Sequence, residues 1–239
     1  MLAIGMRTLH PGEPVYQGKR LSEWLVQLKT EDDLSETNAA VLAIRAIGTN
    51  AIPYLLRELQ ATDGGIWHEV QTKAASLGVA AQPPDAFERS GLAQGGFAAL
   101  GPLGAPAIEP LKNILRGTNG LFAIGAEFAI IELGPEGVRG LCTGLANTNG
   151  DIALTTAWTL TQPRVPKDGV VTNIFEFLNH YNPQVRKALV ASLGNTSTNL
   201  HDLVKARLLQ MQNDPDNTVQ DEIRAALLRI EERRQGLRP

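Results

Sequence analysis

Four histidines, one cysteine and a thin row of cations are the residues of this 239-residue chain whose types could do chemistry. A metal centre needs imidazoles and carboxylates that converge, and one helix face supplies two ligands only at a spacing of three or four residues. His10, His68, His180 and His201 are scattered far beyond that spacing, and His68-Glu69 is the one adjacent His-Glu pair. No metal site is expected. Cys142 stands beside Leu141 and near Leu145 in an apolar stripe, with no histidine close in sequence, so it reads as a small buried hydrophobe rather than a nucleophile. A lone cysteine also excludes an internal disulfide. The run Gly91-Leu92-Ala93-Gln94-Gly95-Gly96 lacks the Lys-Ser/Thr that would make it a phosphate loop, and its small residues are expected to let helices approach closely. No nucleophile-elbow sequence is present. No catalytic residue and no cofactor are expected.

The cations Arg57, Lys112, Arg116 and Arg139 form a modest row, interspersed with Glu58 and Glu109. With a net charge of −3 the chain has no global positive field to draw in nucleic acid or an anionic membrane, and the row reads as a solvated face. Trp24, Trp67 and Trp158 lie in or beside apolar stripes and are expected in the core. The apolar run Leu2-Ala3-Ile4-Gly5-Met6 falls far short of the ~20 residues that cross a bilayer, so no membrane span is expected. The chain as given is expected to be cytoplasmic, with an anchor or signal upstream of Met1 left open.

The elements that must position these residues follow from a recurring register. Ile47-Gly48, Leu103-Gly104 and Leu133-Gly134 each precede by four residues the anchors Ile52, Ile108 and Val138. From each anchor the same ladder follows: Ile52/Leu55/Leu59, Ile108/Leu111/Leu115 and Val138/Leu141/Leu145. Ala43/Ile44, Ala99/Leu100 and Ala129/Ile130 hold equivalent places upstream. Each unit reads as helix, glycine-marked turn, helix. A helical pair of about thirty residues cannot bury its stripe alone, so the fold expected is all-α, an α-solenoid of about five to six stacked antiparallel pairs.

Residues 1–20 are expected to be an extended lead-in, because two prolines and two glycines between His10 and Arg20 exclude helix. The solenoid is expected over 21–231, opening with a short helix capped by Ser22 with Trp24, Leu25 and Leu28 on its apolar side. The first full pair spans about 37–60, with Pro53 early in its second helix. Gly48 and Gly104 are 56 residues apart against 30 from Gly104 to Gly134, so an irregular insertion is expected at about 62–85. There Ile66, Val70, Ala74 and Leu77 fit a helix that Gly78 could end, and Pro83-Pro84 break the chain. Asp85 and Glu88 make a capping box for a helix through Phe87, Leu92 and Phe97. Further helices are expected around Ile152–Leu160 and Val170–Leu178. Val185/Leu189/Leu193 then align with Val219/Ile223/Leu227 at a spacing of 34, and Leu203, Val204, Leu208 and Met211 complete the pair between them. Residues 232–239 are expected to fray.

These residues resemble a HEAT-repeat protein, and more narrowly bacterial HEAT-repeat proteins. The narrower likeness rests on Glu13-Pro14-Val15-Tyr16-Gln17-Gly18-Lys19, then Leu21-Ser22-Glu23-Trp24-Leu25, then Ala43-Ile44-Arg45-Ala46-Ile47-Gly48 running into Ala51-Ile52-Pro53. It covers most of 13–230 and is strongest to about 145. It implies an all-helical superhelix with no established activity, often in proteins with a hydrophobic segment before the lead-in. Some proteins built on such repeats are enzymes. The deoxyhypusine hydroxylase type holds two irons through several His-Glu pairs, where this chain has one. The alkylpurine DNA glycosylase type needs a basic channel lined with aromatics, and the phycobilin lyase type cradles a tetrapyrrole, for which this chain offers no chemical handle.

The function expected is therefore a non-catalytic protein–protein interaction scaffold, whose second helices line a concave groove for a protein segment or partner helix. Nucleic acid is disfavoured as a partner. The alternatives are a DNA-binding HEAT-like enzyme of the alkylpurine glycosylase type and a phycobilin-lyase-like ligand binder. The groove residues expected, all falling between members of the ladder, are Tyr54, Arg57 and Glu58, then Lys112, Asn113 and Arg116, then Arg139 and Thr143.

Overall fold

The computed structural model describes residues 12–64, 72–73, 75–78 and 84–236, and these are mostly helical. The chain divides into two compact units between Ala107 and Ile108.

Within the first unit, residues 15–20 form a hairpin where an extended lead-in is expected. Strands β1 (Val15–Tyr16) and β2 (Lys19–Arg20) pair antiparallel, Val15 with Arg20 and Tyr16 with Lys19. The two residues between them, Gln17 (φ 49) and Gly18 (φ 76), both take positive φ, as a tight hairpin turn whose twist matches its strands requires. The prolines and glycines do exclude helix here, but they turn the chain back on itself. The hairpin then serves as the start of helix α1 (Leu21–Glu31). Pro14 O accepts from the Leu21 amide at 2.9 Å, Glu13 Oε1 from the Ser22 amide at 2.7 Å, and Glu23 Oε2 from the Arg20 amide at 2.7 Å. The expected Ser22 cap is thus displaced: Arg20 is the N-cap, Ser22 lies inside the first turn, and the two glutamates take the Ser22 and Arg20 amides.

Helix α2 (Ala39–Ile47) is capped by Asn38, whose Oδ1 accepts from the Ala40 and Val41 amides, and a 3₁₀ turn (Gly48–Ala51) leads into α3 (Ile52–Leu59) with Pro53 in its first turn. Helix α4 (Ala86–Leu100) packs against α1, α2 and α3. Asp85 caps it at 2.7 Å from the Glu88 amide, while the Glu88 carboxylate pairs with Lys29 on α1 at 2.7 Å. Phe97 is fully buried, but Phe87, on the first turn, is 88% exposed. At Gly96 a Cβ would stand 2.6 Å from Leu55 and 2.8 Å from Leu25, which is the close approach expected of that small-residue run. Leu55, Leu59, Ile44 and Leu100 complete this core, each side chain worth roughly 1.5–3 kcal/mol when removed from water. By length and composition alone Ala39–Leu59, with a mean hydropathy of 1.5, could cross a bilayer, yet half of it is buried inside the protein and the chain breaks at Gly48.

The helix-ending glycines depart from the expected register at one place. Gly48 (φ 61), Gly101 (φ 52) and Gly134 (φ 89) take positive φ, the first two ending a helix and the third standing at the start of the helix from Pro135, whereas the expected Gly104 lies inside a 3₁₀ turn over Gly101–Ala107. The prolines at 102 and 106 tighten that turn, so the reversal falls on the first glycine rather than the second.

The second unit contains α5 (Ile108–Leu115), α6 (Gly120–Ile131), α7 (Pro135–Leu141), α8 (Gly150–Thr161), α9 (Val171–Glu176), α10 (Pro183–Leu193), α11 (His201–Gln210) and α12 (Asn217–Arg234). Helices α6, α8, α10 and α12 each begin at an Asn or Asp cap, namely Asn119, Asn149, Asn182 and Asp216, whose side-chain oxygens accept from first-turn amides. These four helices neighbour one another in that order. Leu111, Leu115, Val138, Leu141 and Leu145 are buried, as the ladder predicts, whereas its anchor Ile108 is only half-buried. In the later alignment Val185, Leu189, Leu193, Val219 and Ile223 are buried, while Leu227 is only half-buried and Ala226 takes the interior place. Leu203 faces outward, unlike Val204, Leu208 and Met211.

Helix α12 runs past the point where fraying is expected. Its last turn is held by Arg234 Nη1 donating to Asp202 at 3.1 Å, and Ile230 is fully buried beneath it. Within the expected insertion, a helical turn over residues 75–78 closes with Gly78 at φ 71, and Leu77 beside it is exposed. Ile66, Val70, Ala74, Pro83, Trp67 and His68 lie outside the described residues, as do His10, the run Leu2–Met6 and residues 237–239.

Candidate interaction groove

The expected groove residues separate into two kinds. On α3, Tyr54 is 7% exposed and Glu58 4% exposed, so both are interior, not groove-facing. Glu58 Oε1 accepts from Arg57 Nε at 3.3 Å and its Oε2 from Arg89 Nε of α4 at 2.7 Å, a clamp between two helices. Arg57 lies over the Tyr54 ring at 4.9 Å. Burial, reinforced by the charges of Glu58 and Glu13, pushes the Tyr54 phenol well above its ordinary range. The cause of the error is geometric: α3 is only eight residues long and α4 covers its flank, so its buried face is wider than an i, i+3, i+7 stripe.

The remaining members do reach the surface. Asn113, Arg116 and Arg139 are exposed, and Lys112 and Thr143 are half-buried. Their cations are engaged locally. Lys112 donates to Glu109 at 2.5 Å, Arg116 donates to Asn113 at 2.6 Å and stands 3.9 Å from Glu109, and Arg139 pairs with Glu136 one turn away. The bonds from Lys112 and Arg139 hold the carboxyls of Glu109 and Glu136 below the usual carboxylate range.

A different surface holds an open depression. Between α6 and α8 lies an open groove of about 330 Å³, lined by Ile124, Glu127 and Phe128 from one helix and Leu154, Thr155, Trp158, Thr159 and Gln162 from the other. The helical period produces it: positions 124, 127 and 128 share one face of α6, and 154, 155, 158, 159 and 162 share one face of α8. Trp158 is 61% exposed on this wall, so its expected place in the core is wrong. Its neighbours Ala157 and Leu160 take the buried positions of α8 instead. Arg164 lies over the Phe128 ring at 5.1 Å while pairing with Glu132 at 3.2 Å, which closes one end of the wall.

Beneath the apolar wall sits a charge. Glu127 is 1% exposed, and Oε1 is 2.6 Å from Thr156 Oγ1 and 3.0 Å from Thr155 Oγ1, while Oε2 is 2.9 Å from Thr159 Oγ1. The Thr155 hydroxyl also stands 3.0 Å from Ile152 O, so its single proton serves one acceptor at a time. Burial pushes the Glu127 carboxyl upward, and the three hydroxyls pull against it. Gly144 presses on this network from below: a Cβ there would stand 2.1 Å from Thr156 Oγ1. Sequence reasoning missed the site, although a signal was present. Glu127 is the single charged residue of the apolar helix Gly120–Ile131, and the threonines at 155, 156 and 159 sit together on one helix.

The other reactive side chains have structural surroundings. Cys142 is buried, its thiol pushed up to about 12 by desolvation. His201 is buried with Nε2 3.2 Å from Thr196 O, and His180 Nδ1 accepts from the Asn182 amide at 3.1 Å. Among the described residues no three His, Cys, Asp or Glu side chains converge to hold a metal ion. A scan against protein-family models finds no match to this chain, and a search of curated proteins finds none either.

Proposed function

We propose that this protein is a non-catalytic protein–protein interaction scaffold built from HEAT-like helix pairs of the α-solenoid kind, and that the groove between α6 and α8 is its contact surface. The observation that carries this reading is Trp158, a large aromatic held in the open on a wall with Ile124, Phe128 and Leu154. Exposed aromatics in apolar depressions are the side chains on which protein interfaces concentrate their binding energy. The recurring register and the order α6, α8, α10, α12 support the solenoid reading within the second unit.

The same reading moves the contact surface from the second helices to the first. It also ranks nucleic acid low, since Lys112, Arg116 and Arg139 spend their charge on Glu109, Asn113 and Glu136 instead of presenting it to phosphates. A quantitative pull-down from bacterial lysate tests it, with wild type, Trp158→Ala and the double variant Arg116→Glu/Arg139→Glu as baits. The expected result is a partner lost with Trp158→Ala and kept by the charge variant. Recovery that survives Trp158→Ala overturns the assignment.

A further inference from the structure

Among the described residues the carboxylate of Glu127 has hydroxyl partners but no cation. It offers about four lone-pair positions. Oε1 faces Thr155 and Thr156, whereas Oε2 faces Thr159 alone, which leaves an acceptor position on that oxygen. Among the described residues no Lys, Arg or His stands close enough to act on its charge. Glu127 nevertheless forms part of the groove's lining, together with Ile124, Phe128, Leu154 and Trp158. A carboxyl group shielded from water, which a nearby cation would hold ionised, thus lies at the base of an apolar, aromatic trough.

That combination is complementary to a cation on an apolar stem. Aromatic faces attract cations, the stem covers aliphatic wall, and a carboxylate in a low dielectric makes a strong charge-assisted hydrogen bond. Guanidinium fits better than ammonium, because it is planar, more weakly hydrated and stacks on rings. The protein already seats one on this wall: Arg164 stacks on Phe128 with Glu132 as its counter-ion.

We propose that the α6/α8 groove receives an arginine side chain of a partner protein, its stem against Ile124, Leu154 and Trp158 and its guanidinium directed at Oε2 of Glu127. This rests on the scaffold reading and adds the partner's chemistry, an apolar segment with one arginine that has no counter-ion of its own.

The test uses the full chain with labelled Ile and Leu methyls and two probes, N-acetyl-arginine methylamide and its neutral isostere N-acetyl-citrulline methylamide. The arginine probe is expected to shift the Ile124 and Leu154 methyls and to bind about ten-fold more tightly than the citrulline probe, roughly 1.4 kcal/mol. In Glu127→Gln, where the amide keeps the shape but not the charge, the two probes are expected to bind within about two-fold of each other. Equal affinities in the wild type overturn the proposal without needing any variant. So does an absence of shifts at Ile124 and Leu154, or a preference that survives Glu127→Gln. If those fail while partner recovery still depends on Trp158, the scaffold reading stands and only the arginine is removed.

Discussion

Thr156 and Glu127 meet across the seam between α8 and α6, the hydroxyl donating to Oε1 at 2.6 Å from a position 29 residues further along the chain. Both are fully buried, so the bond is made where water cannot replace it. Hydrogen bonds to a charged group contribute more than neutral ones, and an orphaned partner is penalised. Thr156→Val is therefore expected to destabilise the protein by about 1.5–3 kcal/mol, read from urea denaturation with an unchanged m-value. A loss near zero would mean that Thr155 and Thr159 satisfy the carboxylate without it.

Glu127 also sets a direction of pH dependence. Burial raises its pKa above the ordinary 4.5, so over that interval the folded protein holds a proton that the unfolded chain releases. Its favourable contribution is complete below about 4.5 and is lost as the pH climbs through the raised folded value. The stability of wild type relative to Glu127→Gln is thus expected to fall as the pH rises above the ordinary 4.5, measured by denaturation at each pH. A flat or rising difference would contradict the burial of an ionisable carboxyl.

Gly144 tests the support beneath that network. With a Cβ placed 2.1 Å from Thr156 Oγ1, Gly144→Ala must displace the hydroxyl or the helix. The expected cost is about 1–3 kcal/mol. In a Thr156→Ala background the penalty should shrink, because the hydroxyl that clashes most closely is gone, and thermal unfolding of the cycle measures the coupling. Additive losses would show that Gly144 is needed for another reason.

The ladder itself is testable in the same way. Leu111 and Leu141 are fully buried, so Leu111→Ala and Leu141→Ala are each expected to cost about 2–5 kcal/mol.

How far the sequence reaches can be judged from these residues. The apolar ladder, Pro53, the cap at Asp85 and the burial of Cys142 were legible, since each follows from local periodicity or from one residue's own chemistry. Trp158, Phe87, Tyr54 and Glu58 were not, because their exposure depends on which neighbouring helix covers which flank. Composition ranks Trp above Tyr or Glu for the core. Here α8 turns its tryptophan outward and α3 turns its tyrosine and glutamate inward. The groove was illegible for the same reason: its walls belong to helices some thirty residues apart. The hairpin at Gln17-Gly18 was hidden differently, since strands of two residues leave no alternation to read.

The central claim is that the wall bearing Trp158 is where this protein meets its partner. Its most direct test is the dissociation constant of a partner recovered with the wild-type chain, measured by calorimetry against wild type and Trp158→Ala of matched thermal stability. The account predicts a weakening of at least about ten-fold, since an exposed tryptophan at the centre of a contact is worth about 2 kcal/mol or more. An unchanged dissociation constant would contradict it and place the contact elsewhere on the chain.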